Sequence, residues 1–257
     1  MRWDPQQYAR YSGERSRPFF DLLAQVRAQA PAAVTDLGCG SGELTAALAQ
    51  RWPEATIQGL DSSPDMIERA NEHRGEHLSF ELARAEDFSA TGVDVLISNA
   101  LLQWVPDHLA LLSRWADELA TGGWLAFQVP ANFDSPSHRL MRELASSPRW
   151  RDTLDGVLRH ADAVAEPAEY LNTLLDHGLR VDAWQTSYLH VLSGENPVLE
   201  WVRGTGLRPV LQALENNADK KAEFEAKYAS LLRKAYPARG DVTVFPFLRT
   251  FVVASKP

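Results

Sequence analysis

Short apolar runs alternate with amphipathic segments through the first half of the chain. The runs typical of buried strands lie at 33–37, 56–60, 78–83, 93–98 and 124–129. Segments with the apolar spacing of helices lie at 18–30, 43–52, 64–72 and 107–119. Strands that alternate with helices pair in parallel through right-handed crossovers. The pattern therefore predicts an α/β fold with a Rossmann-like, doubly wound sheet.

The alternation weakens in the second half of the chain. Helical patterns occur at 137–145, 168–176, 196–203 and 207–234, and extended patterns at 181–191 and 242–254. Within the last strand, Pro246 predicts a bulge or an edge position, because proline cannot donate a ladder hydrogen bond. The expected result is a seven-stranded, mostly parallel sheet with an α-helical cap. Its expected divisions are a helical segment at 1–30, the core at 31–192, the cap insertion at 193–237 and the final strand at 238–257.

Charge and composition narrow the class of partner. The formal net charge of the 257-residue chain is -8, which disfavours binding to duplex nucleic acid. A small substrate is favoured instead, and a local arginine cluster would still allow it to be anionic. No apolar run suits a signal peptide or a membrane span, and Cys39 is the single cysteine. We therefore expect a cytoplasmic protein, and the oligomeric state is left open.

A glycine-rich segment follows the first strand. The glycines are at positions one, three and five of the loop (Gly38, Gly40 and Gly42), whereas a dinucleotide fingerprint has them at one, three and six. Position six is Glu43, whose charge would face a pyrophosphate. S-adenosylmethionine has no phosphate and carries an ammonium group, for which Asp36 at the strand end is a candidate acceptor. The spacing favours a methyltransferase over a dinucleotide-dependent enzyme.

Two further positions suit the adenosine part of such a cofactor. Asp61, followed by Ser62, ends the second strand, where a carboxylate accepts hydrogen bonds from ribose hydroxyls. The alternative is that Asp61 only caps the next helix. After the third strand, Ala85 and Glu86 are candidates for binding adenine through backbone groups, and Arg84 stands where related enzymes have an aspartate. The alternative there is a solvated turn.

The fourth strand ends in a segment with polar and aromatic side chains. Asn99 and Gln103 can form hydrogen bonds, and Trp104 is a candidate wall of the transfer site. Open α/β sheets bind ligands at the carboxyl ends of their strands, which is where these residues are expected. The alternative for Trp104 is a purely structural role in the core.

Several segments resemble the trans-aconitate 2-methyltransferase family over nearly the whole chain. They include Trp3-Asp4-Pro5, Glu14-Arg15-Ser16-Arg17-Pro18, the glycine loop, Asp61-Ser62-Ser63-Pro64, Gln103-Trp104, His138 with Leu140-Met141-Arg142-Glu143, and Thr205-Gly206-Leu207-Arg208-Pro209. The glycine loop and Asp61 are general to S-adenosylmethionine-dependent methyltransferases. The Glu-Arg-Ser-Arg-Pro and Thr-Gly-Leu-Arg-Pro segments are more particular.

The resemblance implies methylation of one carboxylate of trans-aconitate, a small tricarboxylate. A carboxylate is ionised at neutral pH, so neither a general base nor a metal is expected. Arg15 and Arg208 are the first candidates for binding the substrate's other carboxylates, ahead of Arg17 and Arg142. Trp201 and Trp104 would line the substrate pocket, and Tyr11 in the N-terminal segment would cover the cofactor. For any one arginine, a surface salt bridge is the alternative.

Other functions remain open at this stage. Methylation of a hydroxyl or an amine would require a base, for which His108 and His138 are candidates, although His108 also suits an exposed position at a helix start. A protein that binds the cofactor without catalysis would be a regulator. An oxidoreductase is a third possibility, which the glycine spacing disfavours.

Overall fold

The protein forms an open α/β sheet with an additional helical layer. The computed structural model describes residues 12–158 and 163–257, with side chains described from Ser16 onward. The strands are β1 (Ala33–Leu37), β2 (Thr56–Asp61), β3 (Leu78–Leu82), β4 (Val95–Asn99), β5 (Trp124–Pro130), β6 (Arg180–Ser193) and β7 (Val242–Ser255). The helices are α1 (Ser12–Leu23), α2 (Glu43–Arg51), α3 (Pro64–Ala70), α4 (His108–Glu118), α5 (Pro136–Ala145), α6 (Arg151–Leu154), α7 (Pro167–Asp176), α8 (Pro197–Arg203), α9 (Arg208–Ala213) and α10 (Ala218–Ala235).

The strands form one seven-stranded sheet in the order β3-β2-β1-β4-β5-β7-β6. Strands β1 to β5 are parallel to their neighbours, whereas β7 is antiparallel to both β5 and β6. The order reverses direction at β1, which places a crevice at the carboxyl ends of β1 and β4. The predicted fold class is confirmed, with an antiparallel pair at one edge.

Two predicted helices have different bounds in the structure. The first ends at Leu23, and the buried Val26, which suggested a longer helix, lies after it. The predicted helix at 207–234 is two helices, because Asn217 starts α10 by accepting a hydrogen bond from the backbone N–H of Lys220 at 2.9 Å. Asparagine competes for the backbone in this way and favours helix starts.

The position of Pro246 has a simple geometric reason. Strand β5 pairs with β7 only over Arg249–Ser255. The first half of β7 therefore lies beyond the end of β5 and pairs with β6 alone, with Pro246 opposite Leu189. The proline occupies an edge position, as predicted, and the β6–β7 register is continuous through it.

The core consists of two layers against the sheet and a third cluster outside it. Helices α1 to α3 cover one face, and α4 and α7 cover the other. The third cluster joins α5, α6, α8, α9 and α10 to the far ends of β6 and β7. Residues of α5 and α6, which the predicted divisions assign to the core, thus pack with those of the predicted cap. None of the described helices is long and apolar enough to cross a membrane.

Phe224 connects the parts of this third cluster. Its side chain is fully buried, and its ring centroid lies 5.2 Å from that of Trp150 and 6.3 Å from that of Tyr228. We expect Phe224→Ala to lower the free energy of unfolding by about 3–5 kcal/mol, because it leaves a cavity in an apolar cluster. Urea unfolding followed by tryptophan fluorescence measures the change. The matched control is Phe20→Ala, which removes a ring that is 47% exposed and should cost about 1 kcal/mol or less. A loss for Phe224→Ala no larger than that of the control would contradict the packing.

Candidate functional site

The glycine loop has a backbone conformation that requires glycine. Gly38, Gly40 and Gly42 have φ values of +75°, +56° and +85°, in the left-handed region that disfavours side chains. At Gly42 a Cβ atom would also lie 2.9 Å from Cζ of Phe80 and 3.0 Å from Cα of Ala70. The loop therefore packs its backbone against β3 and α3, and then enters α2.

Asp61 joins this loop to the end of β2. Its Oδ2 accepts a hydrogen bond from the backbone N–H of Gly40 at 3.0 Å, and its Oδ1 accepts one from the N–H of Ser63 at 2.8 Å. Burial raises the pKa of this carboxyl, against the effect of its backbone hydrogen bonds. An ionised carboxylate has about four lone-pair sites, so Asp61 keeps capacity for a further hydrogen bond.

A cavity of about 290 Å³ lies beside the loop, and we call it the loop cavity. Six of the predicted site residues line it: Gly38, Asp61, Ser62, Ala85, Glu86 and Trp104. Apolar side chains complete it, including Leu60, Leu101 and Val105. The cavity thus runs along the carboxyl ends of β1, β2 and β3, where the sequence predicted a nucleoside to bind.

Arg84 changes the charge at one end of the loop cavity. Its Nη2 lies 2.8 Å from Oε1 of Glu86, and this hydrogen bond lowers the pKa of the Glu86 carboxyl. The arginine therefore offsets the negative charge of Glu86 at the cavity edge. The backbone of Ala85–Asp87 forms a single 3-10 turn there.

Asp36 lies beneath the glycine loop. Its side chain is 2% exposed, lines neither the loop cavity nor the cap cavity described below, and accepts a hydrogen bond from Oγ1 of Thr45 at 2.7 Å. Burial raises its pKa to about 7, the Thr45 bond opposes this rise, and Asp61 adds to it. The contact with a ligand ammonium group that the sequence predicts for Asp36 stays a prediction.

A second cavity, of about 80 Å³, lies between the sheet and the helical layer, and we call it the cap cavity. Its lining includes Asn99, Trp104, His138, Trp201 and Arg249. Trp104 lines both cavities, so its side chain stands at their junction. Trp201 is 1% exposed, and it stacks near His190 with ring centroids 4.3 Å apart.

The backbone is strained where the two cavities meet. Ala100 has a φ of +57°, which is rare for a residue with a side chain and costs on the order of 1 kcal/mol. Its N–H donates to the backbone oxygen of Gln128 at 2.9 Å, and its own oxygen accepts from Nε2 of Gln103. This turn follows β4 directly and brings both Asn99 and Trp104 to the cap cavity.

A chain of three polar side chains reaches the cap cavity from the sheet. Nη1 of Arg249 donates to Oε1 of Gln128 at 3.0 Å, and Nε2 of Gln128 donates to Oδ1 of Asn99 at 2.6 Å. Arg249 and Gln128 were missed in the sequence. A usable signal was present, because Arg249 interrupts the otherwise apolar pattern of a central strand segment, and arginine is rarely buried without a specific role.

His138 belongs to a second polar chain. Oγ of Ser135 donates to the backbone oxygen of Asn132 at 2.6 Å, Oγ of Ser137 lies 2.9 Å from Oγ of Ser135, and Nδ1 of His138 lies 3.1 Å from Oγ of Ser137. Each hydroxyl has one proton, so Ser137 must donate to Ser135. Nδ1 of His138 also lies 3.4 Å from the amide nitrogen of Asn132, which is a donor, so the direction of its contact with Ser137 depends on the tautomer of the ring.

Several predicted residues lie elsewhere. Arg208 is half-buried at the start of α9 and lines neither cavity. Arg142 donates to the backbone oxygen of Phe133, and Arg17 pairs with Asp21. Tyr11 lies outside the described residues, and Arg15 falls within α1 with its side chain also outside them.

His108 differs from its expected position. It is 7% exposed, with Nε2 2.9 Å from the hydroxyl of Tyr170 and Nδ1 3.3 Å from the backbone oxygen of Val105. The exposed position considered for it is therefore wrong, because its ring packs under α7. Burial lowers its pKa. Within 12–158 and 163–257, no group of three or more His, Cys, Asp or Glu side chains is arranged to hold a metal ion.

The buried Asp36 carboxyl gives a prediction about pH. Its folded-state pKa of about 7 lies above the ordinary value of 3.8, so its stabilising contribution is complete below about pH 4 and is lost as the pH rises to about 7. At about 1.4 kcal/mol per pH unit, the loss from this group is roughly 4 kcal/mol. We expect Asp36→Asn to reduce the fall in unfolding free energy between pH 4.5 and pH 8, as measured by urea unfolding of the ligand-free protein.

The exposed Asp65 provides the control for this experiment. Asp65→Asn also removes one carboxylate close to the loop, and it should keep the wild-type dependence on pH. An Asp36→Asn protein with the wild-type dependence would show that Asp36 is ionised in the folded state throughout this range.

Comparison with known proteins identifies the family of this chain. Residues 8–180 match the model of a methyltransferase domain family. The trans-aconitate 2-methyltransferase of Streptomyces avermitilis is 54% identical, with 99% of this chain and 97% of that protein covered. Those of Rhodococcus jostii and Mycobacterium tuberculosis are 49% and 44% identical, each with 98% of this chain covered and with 98% and 96% of their own lengths.

Solved structures agree on the fold at much lower identity. Phosphoethanolamine N-methyltransferase 2 of Haemonchus contortus, in complex with S-adenosyl-L-methionine, aligns with a TM-score of 0.54 at 17% identity, covering 94% of this chain and 52% of that one. Geranyl diphosphate C-methyltransferase of Streptomyces coelicolor aligns with a TM-score of 0.52 at 14% identity, covering 97% and 80%. From the domain match and the identity over the full chain, this protein belongs to the trans-aconitate 2-methyltransferase family.

Proposed function

We propose that this protein transfers a methyl group from S-adenosylmethionine to one carboxylate of trans-aconitate, forming the monomethyl ester and S-adenosylhomocysteine. The structural observation that carries the proposal is the pair of cavities that meet at Trp104. One suits a nucleoside, and the other is lined by a buried arginine and amides. Relatives that are 44–54% identical over nearly the whole chain bear the name of this activity.

The loop cavity fits S-adenosylmethionine through its acceptors and its open backbone. Asp61 accepts backbone hydrogen bonds from Gly40 and Ser63, and a carboxylate has about four lone-pair sites, which leaves capacity for a ribose hydroxyl. Ala85 and Glu86 also line the cavity, and adenine would bind beside them. Ser62 and the backbone of Gly38 line the same cavity. The cofactor supplies an electrophilic methyl group on a sulfonium. Tyr11 remains a predicted cover for this site.

The protein's task in this reaction is alignment. A carboxylate is already ionised at neutral pH and attacks without a general base. Holding nucleophile, methyl carbon and sulfur in line is worth several kcal/mol when the geometry is fixed. Trp104 at the junction of the cavities, beside Asn99, is placed to exclude water from the transfer path.

The charges of the reacting groups also determine which substrate carboxylates the protein should bind tightly. Attack of a carboxylate on a sulfonium neutralises both charges, so a cation bound to the attacking carboxylate stabilises the ground state more than the transition state. The cationic side chains should therefore bind the other two carboxylates. Arg15 and Arg208 remain candidates for this role, together with Trp201 as an apolar wall.

Mass spectrometry of the product tests the proposal directly. Purified protein with methyl-labelled S-adenosylmethionine and trans-aconitate should give a labelled, base-labile monomethyl ester. Asp61→Asn serves as the cofactor-site control, and we expect it to weaken S-adenosylmethionine binding by roughly tenfold or more, because an amide group replaces one acceptor oxygen. Cofactor binding without ester formation from trans-aconitate would contradict the proposal and favour a regulator or another acceptor.

A second candidate function is methylation of a hydroxyl, which is favoured by one observation. His138 lines the cap cavity with Nδ1 3.1 Å from Oγ of Ser137, so the opposite ring nitrogen, Nε2, faces away from the serine chain. His108, the other candidate base, lines neither cavity and bonds to Tyr170. Of these two candidates, His138 is the one that lines a cavity of the described structure.

His138→Gln distinguishes the two acceptors. For a carboxylate we expect kcat at saturating trans-aconitate to change by less than about tenfold, because no proton is removed in the transfer step. Loss of a general base would instead lower kcat by about 10²–10⁴-fold. Steady-state kinetics from pH 6 to pH 9 makes the comparison. A loss of that larger size, relieved as the pH rises, would favour the hydroxyl alternative.

A further inference from the structure

Arg249 is a buried cation at the wall of the cap cavity. Its side chain is only 6% exposed, and its residue pairs with Pro130 of β5 and Thr186 of β6. The guanidinium carbon lies 4.7 Å from the centre of the Phe247 ring. Burial of an arginine is costly unless its charge is paired and hydrogen-bonded. This position brings the charge to the cavity that adjoins the transfer site.

The hydrogen-bond chain from Arg249 has a fixed direction. A guanidinium only donates, so Oε1 of Gln128 must be the acceptor and the Gln128 amide nitrogen must donate to Oδ1 of Asn99. The Asn99 oxygen is then occupied, and its NH₂ group is the donor at the end of the chain. Gln128, which is 1% exposed, thereby sets the orientation of both neighbours.

Arg249 lines the cap cavity, whereas Arg142 does not. Nη1 of Arg142 donates to the backbone oxygen of Phe133, and its Nη2 lies 3.5 Å from a carboxylate oxygen of Asp134. The bond from Arg249 Nη1 to Oε1 of Gln128 fixes the orientation of the guanidinium at the cavity wall. A guanidinium so positioned suits planar, two-point binding of a carboxylate.

We propose that Arg249 binds a carboxylate of the substrate that does not react, with the Asn99 amide as a second donor on the same cavity. This proposal rests on the proposed function and adds the residue that selects for a polycarboxylate. Gln128 acts as a positioning residue for both donors. Because the bound carboxylate keeps its charge throughout transfer, its attraction to Arg249 does not oppose the reaction.

The test compares Arg249→Met and wild-type protein with four acids. They are trans-aconitate and three dicarboxylates that each lack one of its carboxylates: itaconate, glutaconate and mesaconate. Binding of each acid to the complex with S-adenosylhomocysteine is measured by calorimetry, and kcat/KM is measured for each acid that is methylated. We expect the variant to lose roughly 30-fold or more in affinity for trans-aconitate. For the one dicarboxylate that lacks the carboxylate bound by Arg249, the loss should be less than about threefold.

This difference between acids separates a binding role from a structural one. A merely structural arginine would lower the affinity for all four acids by the same factor, or for none, and either result would overturn the proposal. The affinity for S-adenosylhomocysteine should be unchanged. The matched control is Arg139→Met, which removes an exposed cation on α5 that pairs with Glu143 and should leave all four affinities unchanged.

Arg249→Lys keeps the test decisive if Arg249→Met does not fold. Lysine retains the charge and loses the planar fork, so we expect a weaker but still selective loss for trans-aconitate. Wild-type affinities for all four acids in this variant would overturn the proposal. Failure of wild-type protein to methylate trans-aconitate would count against the proposed function alone, because the binding comparison does not require turnover.

Discussion

The hydrogen bond from the Gly40 backbone to Asp61 is the interaction on which the site depends. It connects the loop after β1 to the end of β2, and it holds a carboxylate on the strand next to β1, where the sheet order reverses. The positive φ values of the loop glycines allow the backbone to reach this carboxylate. The buried Asp36 beneath the loop adds a second acid, which Thr45 stabilises. The loop cavity is thus formed by the loop backbone, by the Asp61 and Glu86 carboxyl groups and by the apolar side chains around them.

The cap cavity depends on longer-range packing. Its lining comes from the ends of β4 and β5, from α5, from α8 and the segment after it, and from the middle of β7. The long β6–β7 pair extends past the end of β5, and the helical layer packs against this extension. Trp104 then lies between a cavity formed by the sheet and one formed by the cap. This division suits a cofactor that many methyltransferases share and a substrate that few of them use.

The sequence predicted the features that depend on residues close together in the chain. The alternation of strands and helices, the glycine loop, Asp61 and the edge position of Pro246 follow from spacing and backbone chemistry within short segments. The role of Arg249 did not, because it depends on Gln128, which is 121 residues away in the chain. For the same reason His108 was misjudged, since a residue of α7 buries its ring. The break between α9 and α10 was accessible in principle, because Asn216 and Asn217 favour a helix start over a helix interior.

The central claim is that cofactor and acid occupy adjoining cavities that meet at Trp104. A crystal structure of the protein with S-adenosylhomocysteine and trans-aconitate tests it most directly. The account predicts adenosine in the loop cavity with its ribose on Asp61, and the acid in the cap cavity with one carboxylate facing the sulfur and another on Arg249. An acid bound outside the cap cavity, or a ribose away from Asp61, would contradict it.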